Sequence, residues 1–115
     1  MRKIFCIGEL IIDFIGQPNQ GMVRSKQFAK MAGGAPANVA AGVAKLGGNA
    51  NFIGNIGADS FGTFLQGTMN DLNVDTSLCT VSGQTTLAFV AIDQFGERGF
   101  EFYRGSDGDF NLNDI

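Results

Sequence analysis

Apolar and polar positions alternate in two distinct ways along this chain. "KIFCIGEL" opens with the solid run Ile4, Phe5, Cys6 and Ile7, closed by Gly8. A short apolar run bounded by glycine predicts a buried strand. A second run, from Leu10 to Ile15, is broken at its centre by Asp13. "GQPNQG" is a loop on Pro18, Asn19 and two glycines, and "VRSKQFAKMA" reads as a short edge strand.

The period then changes. Pro36 suits the first turn of a helix, where its missing N–H costs nothing. Val39, Val43 and Leu46 recur at i, i+4 and i+7, which predicts one apolar stripe facing the core. Gly47 and Gly48 end the helix. "NANFIGNIG" has the apolar centre of a strand, Phe52 and Ile53. Asp59 or Ser60 caps a second helix whose inner face is Phe61, Phe64, Leu65 and Leu72. "DTSLCTV" predicts a short strand.

"TTLAFVAIDQFGERGFEFYR" predicts two strands and a turn. The first runs from Thr85 to Asp93, and the second alternates Phe100 and Phe102 with Glu101 and Tyr103. Gly96 and Gly99 supply the loop between them. The tail "GSDGDFNLNDI" is polar and carries no closing element. Strand, helix, strand, helix and strands in this order predict an α/β unit with a parallel sheet and an added β piece. Such sheets bind ligands beyond the carboxyl ends of their strands. Asp13 and Gly33-Gly34 fall near that edge.

Composition narrows the field. The 115 residues suffice for one domain, and the apolar and charged fractions, 44% and 17%, are those of a folded chain. The net charge of −3 with no basic cluster argues against nucleic acid as a partner. No apolar run approaches the length of a membrane span. Glu9 and Asp13 in the first apolar region argue against a signal peptide. Cys6 and Cys79 stand singly and read as free thiols in a reducing, cytoplasmic setting. With no histidine in the sequence, Ser-His and Cys-His catalysis are excluded. No metal-ligating cluster, P-loop or GxGxxG fingerprint follows from the spacing. The 17 glycines imply tight turns and close backbone approaches.

Three features bear on chemistry. Asp13 is a carboxylate in an apolar segment; it either faces a cleft, where it accepts hydrogen bonds from hydroxyls, or is a solvated residue on a strand edge. Gly33 and Gly34 lead into a helix whose first N–H groups point at whatever occupies the cleft, with Asn38 in the first turn. The same residues also make an ordinary structural turn. Arg104 ends the last strand, as a binder of hydroxyls or a carboxylate or as a surface arginine. Phe102 shares its strand face and either walls a pocket or packs in the core.

These residues carry a resemblance. "GGAPANVAAGVAKLGGNANFIGNIGADSFG" is similar to the first signature of the PfkB, or ribokinase-like, sugar kinase family. "IGELIIDF" resembles that family's first strand, and "TTLAFVAIDQFGERGFEFYRGSDGD" its substrate-lid strands. "GGAPANVA" and "FEFYRG" look most like bacterial fructokinases.

The resemblance implies the N-terminal portion of a three-layer α/β/α fold with a small β lid, its strands near 10–16, 26–32 and 85–104. It implies ATP-dependent phosphorylation of a sugar hydroxyl, with Mg²⁺ bridging the phosphates. Asp13, Gly33, Gly34 and Asn38 match positions that hold the sugar; Phe102 and Arg104 match lid-adjacent positions. The family's catalytic aspartate, its general base, lies in a downstream GAGD motif that this sequence lacks, and is expected beyond Ile115. The expectation is therefore the sugar-binding part of a kinase, a fragment without catalytic residue or nucleotide site, inactive alone. A stand-alone sugar-binding or interaction module stays open. So does another substrate: ribose, 2-keto-3-deoxygluconate, a nucleoside or an inositol-pathway sugar. The family's lid strands pair between subunits, which implies a possible homodimer through an apolar face of Leu87, Phe89, Phe100 and Phe102, unless these are simple core packing.

Overall fold

β1 (Lys3–Ile7) lies parallel to β4 (Asn49–Ile53), with Lys3 opposite Asn49 and Ile7 opposite Ile53. α2 (Ala35–Lys45) packs on both strands. This computed structural model describes residues 2–106; residues 107–115, most of the tail expected to lack a closing element, lie outside the described residues. Gly54 separates β4 from β5 (Asn55–Ile56), which pairs parallel with β6 (Thr80–Val81). "DTSLCTV" thus yields a strand of two residues, because its earlier part turns: the Cys79 N–H donates to the Thr76 carbonyl at 3.0 Å.

α2 buries only part of the stripe that its large residues predict: Val43 packs against the core and the other two do not. Val39 and Leu46 are 57% and 91% exposed. The face against the strands is made by Ala37 and Ala40, with Val43 and Ala44 partly buried beside them. Small side chains let the helix sit close to the sheet, and that contact outweighs the greater hydrophobicity of Val39 and Leu46. Gly47, at φ 84°, closes the helix. α3 (Ser60–Asp71) is capped by Asp59, whose Oδ1 accepts the Gly62 N–H at 2.8 Å. Its buried residues are Gly62, Leu65 and Met69; Phe61, Phe64 and Leu72 are only partly covered.

The second sheet has the order β3-β2-β7-β8, from β3 (Phe28–Gly33), β2 (Ile11–Gly16), β7 (Leu87–Ile92) and β8 (Arg98–Tyr103). β2 and β7 run parallel; the two outer pairings are antiparallel. The edge strand β3 follows a helical turn, α1 (Gly21–Arg24), so only the later part of "VRSKQFAKMA" is strand. Gly99 lies inside β8. The turn before it is made by Asp93, whose Oδ1 accepts the N–H groups of Phe95 and Glu97, and by Gly96 at φ 80°.

Side chains of this sheet alternate between two faces. Ile12 and Phe14 face the core; the Phe14 ring meets Phe61 of α3 edge-on at 5.7 Å and stacks on Phe89 at 4.9 Å. Asp13, between them, faces the other way. Cα partners across the sheet put Met31, Asp13, Ala88 and Phe102 in one row. The register corrects one expectation. Leu87 and Phe89 oppose Tyr103 and Glu101, whereas Phe100 and Phe102 oppose Val90 and Ala88. The four residues expected to form one apolar face divide between both faces, because positions 87 and 89 share one parity and register pairs them with odd positions of β8.

Candidate functional site

Asp13 is half-buried, and Gly33 lies diagonally across from it on β3. A Cβ on Gly33 would lie 2.6 Å from the Asp13 Cγ, so only glycine leaves the carboxylate its place. Burial first, and the charge of Glu9 second, raise the Asp13 carboxyl above its ordinary value.

Gly34 follows, at φ 104°, as the residue before the first turn of α2. A Cβ there would run into the Glu9 carbonyl and approach the Leu10 Cα at 3.4 Å. The helix start is therefore pressed against the link between β1 and β2. Pro36 adds to this closeness: a Cβ on Gly8 would lie 2.6 Å from its Cγ. The Asn38 N–H donates to the Gly34 carbonyl at 3.0 Å, and its side chain is exposed in the first turn.

Arg104 comes in from β8. Its Nη1 donates to Glu9 Oε2 at 3.2 Å, and the guanidinium lies 5.3 Å from the centre of the Phe102 ring. The chain just beyond is tied down. The Gly105 N–H donates to Thr86 Oγ1 at 2.7 Å, the Ser106 N–H to the Gln84 carbonyl at 2.7 Å, and Asn55 Nδ2 to the Ser106 carbonyl at 2.8 Å.

Asp13 and Gly33 are in direct apposition, Gly34 carries Asn38, and Phe102 lies in the Asp13 row with Arg104 over it. Glu9 connects the groups: its backbone meets Gly34 and its carboxylate meets Arg104. Sequence reasoning passed over Glu9 as a site residue, although a second carboxylate four positions before Asp13 in an apolar segment was a usable signal. Asn55 was also missed. It is buried and makes all four of its hydrogen bonds, to Ser82, Ser106 and Thr80. The general base expected beyond Ile115 lies outside the described residues, as Ile115 itself does, so no catalytic residue is assigned here.

Chemically, the site offers a carboxylate acceptor, a carboxamide, a guanidinium and an apolar ring wall. Such a set of acceptors, donors and ring surface has the chemistry that polyhydroxylated molecules call for. Among the described residues no group of three or more His, Cys, Asp or Glu gathers to hold a metal ion. Burial pushes the Cys79 thiol up to about 11, and its Sγ donates to the Phe52 carbonyl at 3.2 Å. A hollow of about 300 Å³ lies at the far end of β2, lined by Ile15, Pro18 and Ala29 among others, and holds none of these groups. No helix among the described residues is long and apolar enough to cross a membrane.

The family model described as "pfkB family carbohydrate kinase" matches residues 1–114. The chain is 42% identical over 112 residues to "Probable fructokinase-6, chloroplastic" of Arabidopsis thaliana, covering 95% of this chain and 29% of that protein. It superposes on the crystal structure of a fructokinase from Xylella fastidiosa with a TM-score of 0.88 at 42% identity, over 98% of this chain and 36% of that one. A second structure of fructokinase from that organism, with bound ATP, matches with a TM-score of 0.87 at 41% identity, over 98% and 37%. The chain thus spans about a third of the length of these relatives.

Proposed function

This chain belongs to the pfkB family of carbohydrate kinases, and from that premise we propose that it forms the sugar-binding part of a fructokinase-like enzyme. Its fold is the ribokinase-like α/β fold of that family. The reaction is transfer of the terminal phosphoryl of ATP to a sugar hydroxyl. ATP enters the proposal through the ATP-bound Xylella relative. Mg²⁺ is its usual companion in phosphoryl transfer.

One observation carries the reading: Asp13 is held against Gly33, just before a helix start, and Phe102 lies in the same row across the sheet, with Arg104 over it and paired to Glu9. A half-buried carboxylate suits a pair of sugar hydroxyls. Asn38 donates and accepts at the rim, Arg104 donates, and Phe102 covers an apolar face of the sugar. These residues bind and orient; phosphoryl transfer depends on such positioning. The proposal includes a cytoplasmic setting, which the two free thiols suit. It also includes a homodimer through the four-stranded sheet, for which Phe100 and Phe102 offer exposed aromatic surface.

The test is ADP release by the protein as its gene encodes it, with fructose, ribose, 2-keto-3-deoxygluconate and a nucleoside as acceptors. The highest kcat/KM with fructose supports the proposal. Sugar binding without ADP release makes it a binding module instead. Activity only on another acceptor replaces the substrate and leaves the kinase.

A further inference from the structure

We propose that Glu9 is a positioning residue that holds the Arg104 guanidinium over Phe102, beside the Asp13 row. This rests on the reading above, in which Arg104 meets the sugar.

The two residues are 95 positions apart in the sequence, yet Arg104 Nη1 and Glu9 Oε2 lie 3.2 Å apart. Each is fixed by its backbone. The Glu9 carbonyl abuts Gly34, and the next residue, Leu10, is buried. Arg104 precedes Gly105 and Ser106, which are anchored on Thr86, Gln84 and Asn55. The side chains themselves are 60% and 39% exposed. A long arginine side chain in that exposure has many rotamers, and a carboxylate at hydrogen-bond distance selects among them. Phe102 supplies the second side, under the guanidinium at 5.3 Å.

β7 puts Ala88 opposite Asp13, and Lys30 of β3 lies on the other sheet face, over the Phe64 ring at 4.1 Å. Glu9 also acts on Asp13 through its charge. It therefore touches or influences each of the three arms of the site: the helix start, the β2 carboxylate and the end of β8. Because the pair is solvent-exposed, the effect on affinity is limited to about fivefold.

The experiment is a double-mutant cycle on the gene-encoded protein with its sugar and ATP: wild type, Glu9→Gln, Arg104→Met and the double variant. Thermal melts of all four check folding. Arg104→Met is expected to raise the sugar KM. Glu9→Gln is expected to raise it about two- to fivefold with kcat within about twofold, and to raise it by a smaller factor once Arg104 is gone, when only its charge on Asp13 remains. A merely structural glutamate would act equally in both backgrounds. Additive effects overturn the inference, as does a Glu9→Gln enzyme with wild-type KM while Arg104→Met is impaired. An Arg104→Met enzyme with unchanged KM removes Arg104 from the site, and the inference falls with that assignment.

Discussion

Asp13 and Gly33 occupy one space across neighbouring strands: a Cβ on Gly33 would lie 2.6 Å from the Asp13 Cγ. Adding that Cβ forces the carboxylate to turn away. Gly33→Ala should therefore lower kcat/KM for the sugar on the order of 10²-fold, the scale of a displaced orienting group. Gly34→Ala acts differently, since φ 104° and the Glu9 carbonyl both oppose it. It should cost about 1–3 kcal/mol of stability as well. Melting curves beside steady-state kinetics separate the two: a Gly33→Ala protein with full activity contradicts the geometry.

Asp13 carries a cost to the fold. Its folded carboxyl titrates above the ordinary value, chiefly through burial. Such a group favours the folded state below its unfolded pKa and loses that contribution as pH rises through the folded one. At neutral pH the ionised Asp13 is therefore a burden. Asp13→Asn should raise the melting temperature at pH 7, and the gain should vanish below about pH 4, the ordinary carboxylate value. A lower melting temperature at pH 7 refutes this.

Asp59 has the opposite sign. Burial raises its carboxyl, but the Thr85 hydroxyl and N–H, with the N–H groups of Gly62 and Phe61, outweigh burial and hold it below the ordinary value. Its Oδ1 caps α3 while Oδ2 accepts the Thr85 N–H at 2.8 Å, which joins the helix to the approach to β7. Asp59→Ala should cost about 1–2 kcal/mol at pH 7. A depressed group stabilises above its unfolded pKa, so the difference should shrink as pH falls through and below about 4. Urea denaturation at pH 7 and pH 3 measures it.

The two faces of α2 also make a prediction. Leu46→Gln, at a position 91% exposed, should change stability by no more than about 0.5 kcal/mol. Ala40→Leu, at a fully buried position, should cost about 1–3 kcal/mol by overpacking. Comparable losses for both would restore the stripe of Val39, Val43 and Leu46 as the inner face.

Much of this was legible in the sequence. The break of an apolar run at Asp13 is the period-two alternation of β2, with Ile12 and Phe14 turned inward. Pro36 and Gly47 marked the ends of α2, and Asp59 its successor's cap. What failed was the choice of inner face. Hydrophobicity favoured Val39 and Leu46, while close packing favoured Ala37 and Ala40, and a helix seated on a sheet follows fit. The grouping of Phe89 with Phe100 failed because register across a hairpin depends on its turn, here Asp93 to Gly96. Glu9 was read as one more charge because its partner lies 95 residues away, a distance that only the fold closes.

The most direct test of the account is the kinetics of Asp13→Ala in the protein as its gene encodes it, with ATP and fructose. The account predicts sugar-dependent ADP release by the wild type, and in the variant a raised KM, a lowered kcat and a loss in kcat/KM on the order of 10²-fold. A variant whose kcat/KM matches the wild type for every sugar would contradict the sugar site.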